Sequence, residues 1–151
     1  QKTLWRWHRP AAKKNDSRML QVYRRNKMNM QTTTIVCPVV IPESIEECYE
    51  MLEHDNLVGL EDFAREAGFQ ETVLVTQNAL KRMVGERSYY QPKLFIPAIV
   101  QSLRDMRAIL QQIPGRQTPV LLETDIDGEV VDVLVRQNPL AHPPFTLVTL
   151  Q

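Results

Sequence analysis

Eight apolar residues, Ile96, Ile99, Val100, Leu103, Met106, Ile109, Leu110 and Ile113, recur at the 3.6-residue period of a helix and stop at Pro114-Gly115. A helix with one such stripe gains its stability by burying it, so the fold must supply an apolar surface of similar length. The chain offers one directly afterwards. Val120-Leu121-Leu122-Glu123-Thr124 and Glu129–Arg136 flank Asp125-Ile126-Asp127-Gly128, a turn with Gly where φ > 0 is wanted. Val131, Val133 and Val135 alternate with Asp132, Leu134 and Arg136, as in a largely buried strand. A connection rich in proline (Pro139, Pro143, Pro144) then leads to a last strand, Phe145–Leu150.

Upstream, Thr32–Ile41 is rich in β-branched residues and reads as a strand that Pro38 confines to an edge or breaks. Pro42-Glu43-Ser44 opens a helix whose apolar face is Ile45, Cys48 and Leu52, with Tyr49 at its margin. Leu60–Ala67 is a short helix closed by Gly68. Val73-Leu74-Val75 is either a strand or the start of the next helix. Thr76 is a good N-cap for Gln77–Val84, which Gly85 closes, and the long helix is expected from Pro97. Helices first and a meander last predict a single α+β domain, with three or four helices packed on one face of a small antiparallel sheet.

Charge divides the chain further. The net charge of zero over 151 residues hides a leader, residues 1–30, with nine Lys and Arg against Asp16 alone. Residues 31–151 hold the other nine bases against seventeen acids. The division predicts a basic leader, disordered or non-native, followed by an acidic α+β domain. Met28 and Met30 at the leader's far edge, or Met19, are read as natural starts. No apolar run reaches the roughly 18–20 residues that cross a bilayer, and no apolar stretch follows the basic start, so a cytoplasmic location is expected.

The residues that could carry chemistry are few. Glu123, Asp125, Asp127, Glu129 and Asp132 form an acid cluster, and Glu123-x-Asp125-x-Asp127-Gly128 matches the opening of a calcium loop. Leu134 stands where that loop needs its bidentate Glu, so a hairpin turn accounts for the same residues better. A two-metal nuclease centre would want a lysine beside these acids, and the strand offers Arg136 instead. His8, His54 and His142 lack metal-ligand spacing, Cys37 and Cys48 read as reduced thiols, and the five glycines form no phosphate loop. No enzyme, cofactor or metal site is expected.

Two binding readings remain. Phe63-Ala64-Arg65-Glu66-Ala67-Gly68 followed by Leu74 echoes a helix-turn-helix over Ala64–Leu80, which with Arg6, Arg9, Lys13, Lys14, Arg24 and Arg25 of the leader would make a nucleic-acid-binding regulator. Alternatively, the acids from Glu123 to Asp132 present an acidic surface to a protein partner, a basic one by charge.

His54-Asp55-Asn56-Leu57-Val58, Ala64-Arg65-Glu66-Ala67-Gly68-Phe69 and Val73-Leu74-Val75-Thr76 resemble the "DGVLVDV…AREAGF…VALT" segment of a family of small plasmid- and phage-borne proteins. Leu103-Arg104-Asp105-Met106 with Ala108-Ile109-Leu110 is similar to that family's "LWDVLWMLR" helix. Val133–Asn138 and Leu147-Val148-Thr149-Leu150 resemble its "VRND…VTL" strands, over residues 52–151 in all. The family's tryptophans are replaced around Ala79, Leu80 and Met106, and its Asn-Asp by Gln137-Asn138. The family has no assigned activity. The resemblance implies a non-catalytic accessory protein of a bacterial mobile genetic element, acting by protein contact in anti-defence or regulation.

Overall fold

The computed structural model describes residues 4–8, 17–25, 30–113, 119–126 and 128–150. The alternating Val and Leu residues of the last third form the centre of a six-stranded sheet. Strand β6 (Val120–Ile126) and β7 (Glu129–Asn138) make an antiparallel hairpin closed by Ile126 opposite Glu129. Gly128 in the turn has φ +82, a conformation that costs glycine little. Strand β8 (Phe145–Leu150) pairs antiparallel with β7 and parallel with β5 (Thr72–Thr76). The short β4 (Leu57–Gly59) closes that edge, and β1 (Leu4–His8) pairs with β6 at the other, giving the order β1-β6-β7-β8-β5-β4. Strands β2 (Ser17–Arg25) and β3 (Met30–Val40) form a separate antiparallel pair.

Five helices surround the sheet: α1 (Ile45–Met51), α2 (Glu61–Ala67), α3 (Gln77–Val84), α4 (Glu86–Tyr89) and α5 (Pro92–Gln112). Their ends follow the sequence closely. The Ser44 hydroxyl accepts from the Glu47 N–H at 3.1 Å, capping α1, while the Glu47 carboxylate reaches back to accept from the Glu43 N–H at 3.0 Å. The Thr76 hydroxyl accepts from the Ala79 N–H at the start of α3. Gly68, at φ +102, lets its own N–H reach the last carbonyls of α2.

One sheet face carries Val73, Val75, Val120, Leu122, Val133, Val135 and Val148, and these pack with α2, α3 and the stripe of α5 into the main core. Ile99, Leu103 and Met106 are fully buried there. The opposite face is covered by α1, where Cys48 meets Leu74, Phe145 and Leu147, and by the end of β3, where Val39 meets Leu121 and Leu134. Two side chains of β7 hold the intervening segment. Arg136 Nη1 donates to the Val40 carbonyl at 3.1 Å and Asn138 Nδ2 to the Pro42 carbonyl at 2.9 Å.

The expected α+β class holds, with three corrections. There are five helices rather than three or four among the described residues, because the single turn of α4 stands as a separate element. The sheet is mixed, because β8 returns beside β5 in the same direction. Helices cover both faces, since α1 lies opposite α2, α3 and α5. The long helix also begins at Pro92, not Pro97. Pro97 sits on the exposed side, where the carbonyl its ring leaves without a donor faces water.

Candidate interaction surface

Tyr89, Tyr90 and Phe95 lie on α4 and the first turn of α5, and their rings continue a line that starts on α2. Phe63 meets Phe95 edge-on with ring centres 6.1 Å apart, Phe95 meets Tyr89 at 5.9 Å, and Tyr89 meets Tyr90 at 5.1 Å. Edge-to-face pairs at these distances are favourable beyond the area they bury, so the ridge is a rigid one. Gln77 Nε2 donates to the Tyr89 hydroxyl and ties the ridge to α3. At its far end the Lys81 ammonium stands 5.1 Å over the Tyr90 ring, and the Tyr90 hydroxyl, its main influence, raises the lysine above its ordinary pKa.

The ridge opens to solvent at Tyr90, while Phe63, Tyr89 and Phe95 are half-buried against the core. Tyr90 is 63% exposed, Ile96 49% and Leu94 40%. Ile96 lies on the same helical face as buried Ile99 and Leu103, so here the core stripe of α5 runs on past the core into water. Beside Lys81 lies a cleft of about 690 Å³ between α3, α4 and the β6–β7 hairpin, lined by the bases Lys81, Arg82 and Arg87 and the acids Glu86, Glu129 and Asp132. Two of these bases have exposed partners, Lys81 with Glu86 at 3.8 Å and Arg82 with Glu129 at 3.7 Å. Arg87 is exposed and makes no ion pair among the described residues.

The acidic domain is therefore divided again. Residues 39–76 hold ten carboxylates against Arg65, whereas residues 77–113 hold six bases against Glu86 and Asp105. The boundary falls at the N-terminus of α3. Four of the chain's eight Phe and Tyr residues stand in the ridge that joins the two halves. Sequence reading missed the ridge because Tyr89, Tyr90 and Phe95 fall between the Gly85 helix stop and the expected start at Pro97.

The acid cluster is dispersed by the strand period. Glu123, Asp125 and Asp132 project from the face that carries Leu121 and Leu134, with Glu123 directly opposite Asp132 and Arg6 next in register. Glu129 projects from the other face, toward Arg82. Asp127 lies outside the described residues. Among the described residues no three His, Cys, Asp or Glu side chains are grouped to hold a metal ion.

The helix-turn-helix expectation is corrected. Between α2 and α3 runs β5, a buried strand hydrogen-bonded to β4 on one side and β8 on the other, so Ala64–Leu80 is helix, strand, helix. The β-branched run Thr72-Val73-Leu74-Val75-Thr76 prefers the pleated, buried position it occupies. Arg6, Arg24 and Arg25 fall on β1 and β2, and Arg9, Lys13 and Lys14 outside the described residues, as do the side chains of all six.

On the sheet face away from the ridge, Cys48 is a free, fully buried thiol pushed up to about 11, first by burial and against the opposing pull of Arg136. Arg136 is 8% exposed, hydrogen-bonded to Val40 and, at 3.4 Å, to the Thr149 hydroxyl, and faces no carboxylate among the described residues. Burial holds its guanidinium below the ordinary value. A buried, protonated thiol is inert as a nucleophile, so this pair is a packing feature. No helix among the described residues is long and apolar enough to cross a membrane. No protein-family model matches this chain, and no curated protein and no solved structure matches it either.

Proposed function

We propose that this protein is an accessory factor of a bacterial mobile genetic element that works by binding another protein through the aromatic ridge of α4 and α5. The observation that carries the reading is the line of edge-to-face rings from Phe63 through Phe95 and Tyr89 to Tyr90, which ends at a tyrosine 63% exposed. Single exposed apolar residues are ordinary, but a contiguous group rimmed by charge is the surface composition of interfaces. Tyrosines are favoured there because they bring a large, stiff contact area with a polar tip. The mobile-element context comes from the resemblance of residues 52–151 alone.

The test is capture with paired baits. The wild-type chain and a Tyr90→Ser/Ile96→Ser variant are each used to retain proteins from a bacterial lysate, with Glu50→Lys on exposed α1 as a control. A specific partner should be held by wild type and control and lost from the ridge variant. Identical capture by all three would sink the reading.

A further inference from the structure

A small cavity of about 140 Å³ opens between the end of α2, the segment leading to β5, the last turns of α5 and the end of β7. Arg107, Gln111, Glu71 and Gln137 line it, with the buried Phe69 and Leu110 as its apolar wall. Two opposite charges border this space without pairing. Neither Arg107 nor Glu71 makes an ion pair among the described residues. Neutral groups hold each of them instead. The Arg107 guanidinium lies against Gly68, where an added Cβ would come within 3.1 Å of it. With the Gln111 amide oxygen turned toward it, Arg107 donates to that oxygen from Nη2 at 3.0 Å and from Nη1 at 3.3 Å. The Glu71 Oε2 atom accepts from the Thr146 hydroxyl at 3.1 Å and from Gln137 Nε2 at 3.5 Å.

Unlike charges at the rim of one small cavity attract, yet each of these is anchored to an amide or a hydroxyl. The space between them is therefore positive toward α5 and negative toward β5. A ligand that carries both charges a few ångströms apart satisfies both sides at once. We infer that the cavity takes a small free α-amino acid, with its carboxylate on Arg107 and its ammonium on Glu71. The guanidinium keeps N–H donors beyond those given to Gln111, and its planar fork matches a carboxylate. A volume of about 140 Å³ is roughly five waters' worth, which suits glycine or alanine and cannot enclose a long side chain. The site shares no residue with the aromatic ridge.

The experiment is an amide NMR titration of the isotope-labelled full chain with glycine or L-alanine, at constant pH, up to roughly 20 mM. The backbone amide of Gly68 and the side-chain amides of Gln111 and Gln137 report on the cavity from different walls. Their signals should shift together and saturate with a Kd of about 1 mM. Two analogues each lack one charge: L-lactate has a hydroxyl in place of the ammonium, and L-alaninamide has no carboxylate. Each should bind the wild-type chain at least about tenfold more weakly than alanine, since one charged wall is left unmatched. Arg107→Gln and Glu71→Gln should each weaken alanine by a similar factor, with melting curves checking that both variants fold. The analogues test the same two contacts on an unaltered protein, so a variant that fails to fold does not spare the inference. Cavity signals unmoved at the highest concentration, or shifts scattered away from the cavity, overturn it. So does lactate or alaninamide bound as tightly as alanine, or a folded variant that binds alanine as wild type does.

Discussion

Cys48 shows at the scale of one residue how burial governs reactivity and pH response together. Its thiol is neutral when protonated, and the fold holds it up to about 11 from an ordinary 9.0. The folded state therefore keeps a proton that the unfolded state releases, so the contribution is complete below pH 9 and lost as pH rises through 11. Across that window the wild type should lose up to about 2 kcal/mol more stability than Cys48→Ala, read from urea unfolding at each pH. In a Cys37→Ser background, Cys48 should resist a thiol reagent at pH 8 until the protein unfolds, and rapid labelling of the native state would contradict its burial. Arg136 is the reverse case, a buried charge with hydrogen bonds but no counter-ion among the described residues. Arg136→Met keeps the length and apolar stem but takes the donor from the Val40 carbonyl, so it should destabilise the fold by about 1 kcal/mol in the same assay.

At the scale of elements, the strongest test falls on α5 and on the cap of α2. Leu103 is fully buried at the centre of the main core, and Leu103→Ala should cost about 3 kcal/mol through lost burial and the cavity left behind. Gly68→Ala should cost about 1 kcal/mol or more, because φ is +102 and a Cβ would stand 3.1 Å from the Arg107 guanidinium. Both are read as shifts in the denaturation midpoint. These elements were legible because their signals are local. The stripe from Ile99 to Leu110, the Thr76 cap, the Gly68 stop and the Asp127-Gly128 hairpin each lie within a few residues. The parallel pairing of β5 with β8 was not legible, since Val73-Leu74-Val75 looks the same beside either direction of neighbour. The start of α5 was hidden by Pro97, which a helix tolerates better in its first turn than in its interior. Of the ridge, only the residue types were visible; their assembly needs Phe63 and Phe95 brought together from helices thirty residues apart.

For the whole molecule, charge is arranged by element rather than by terminus alone. The acids of α1 and α2 and the bases of α3 to α5 sit in one fold, so the net charge of residues 31–151 predicts solution behaviour poorly. The hydrogen bonds from Arg136 and Asn138 back to Val40 and Pro42 have a consequence of another kind. Each spans 96 residues of sequence. The segment that seats α1 thus lacks these two bonds until β7 exists, and β7 leaves a ribosome well after α1 does. Contacts of such separation slow folding, because a long loop must close before they repay its entropy. During synthesis, α1 and the residues before it must wait beside a sheet whose centre has yet to be made.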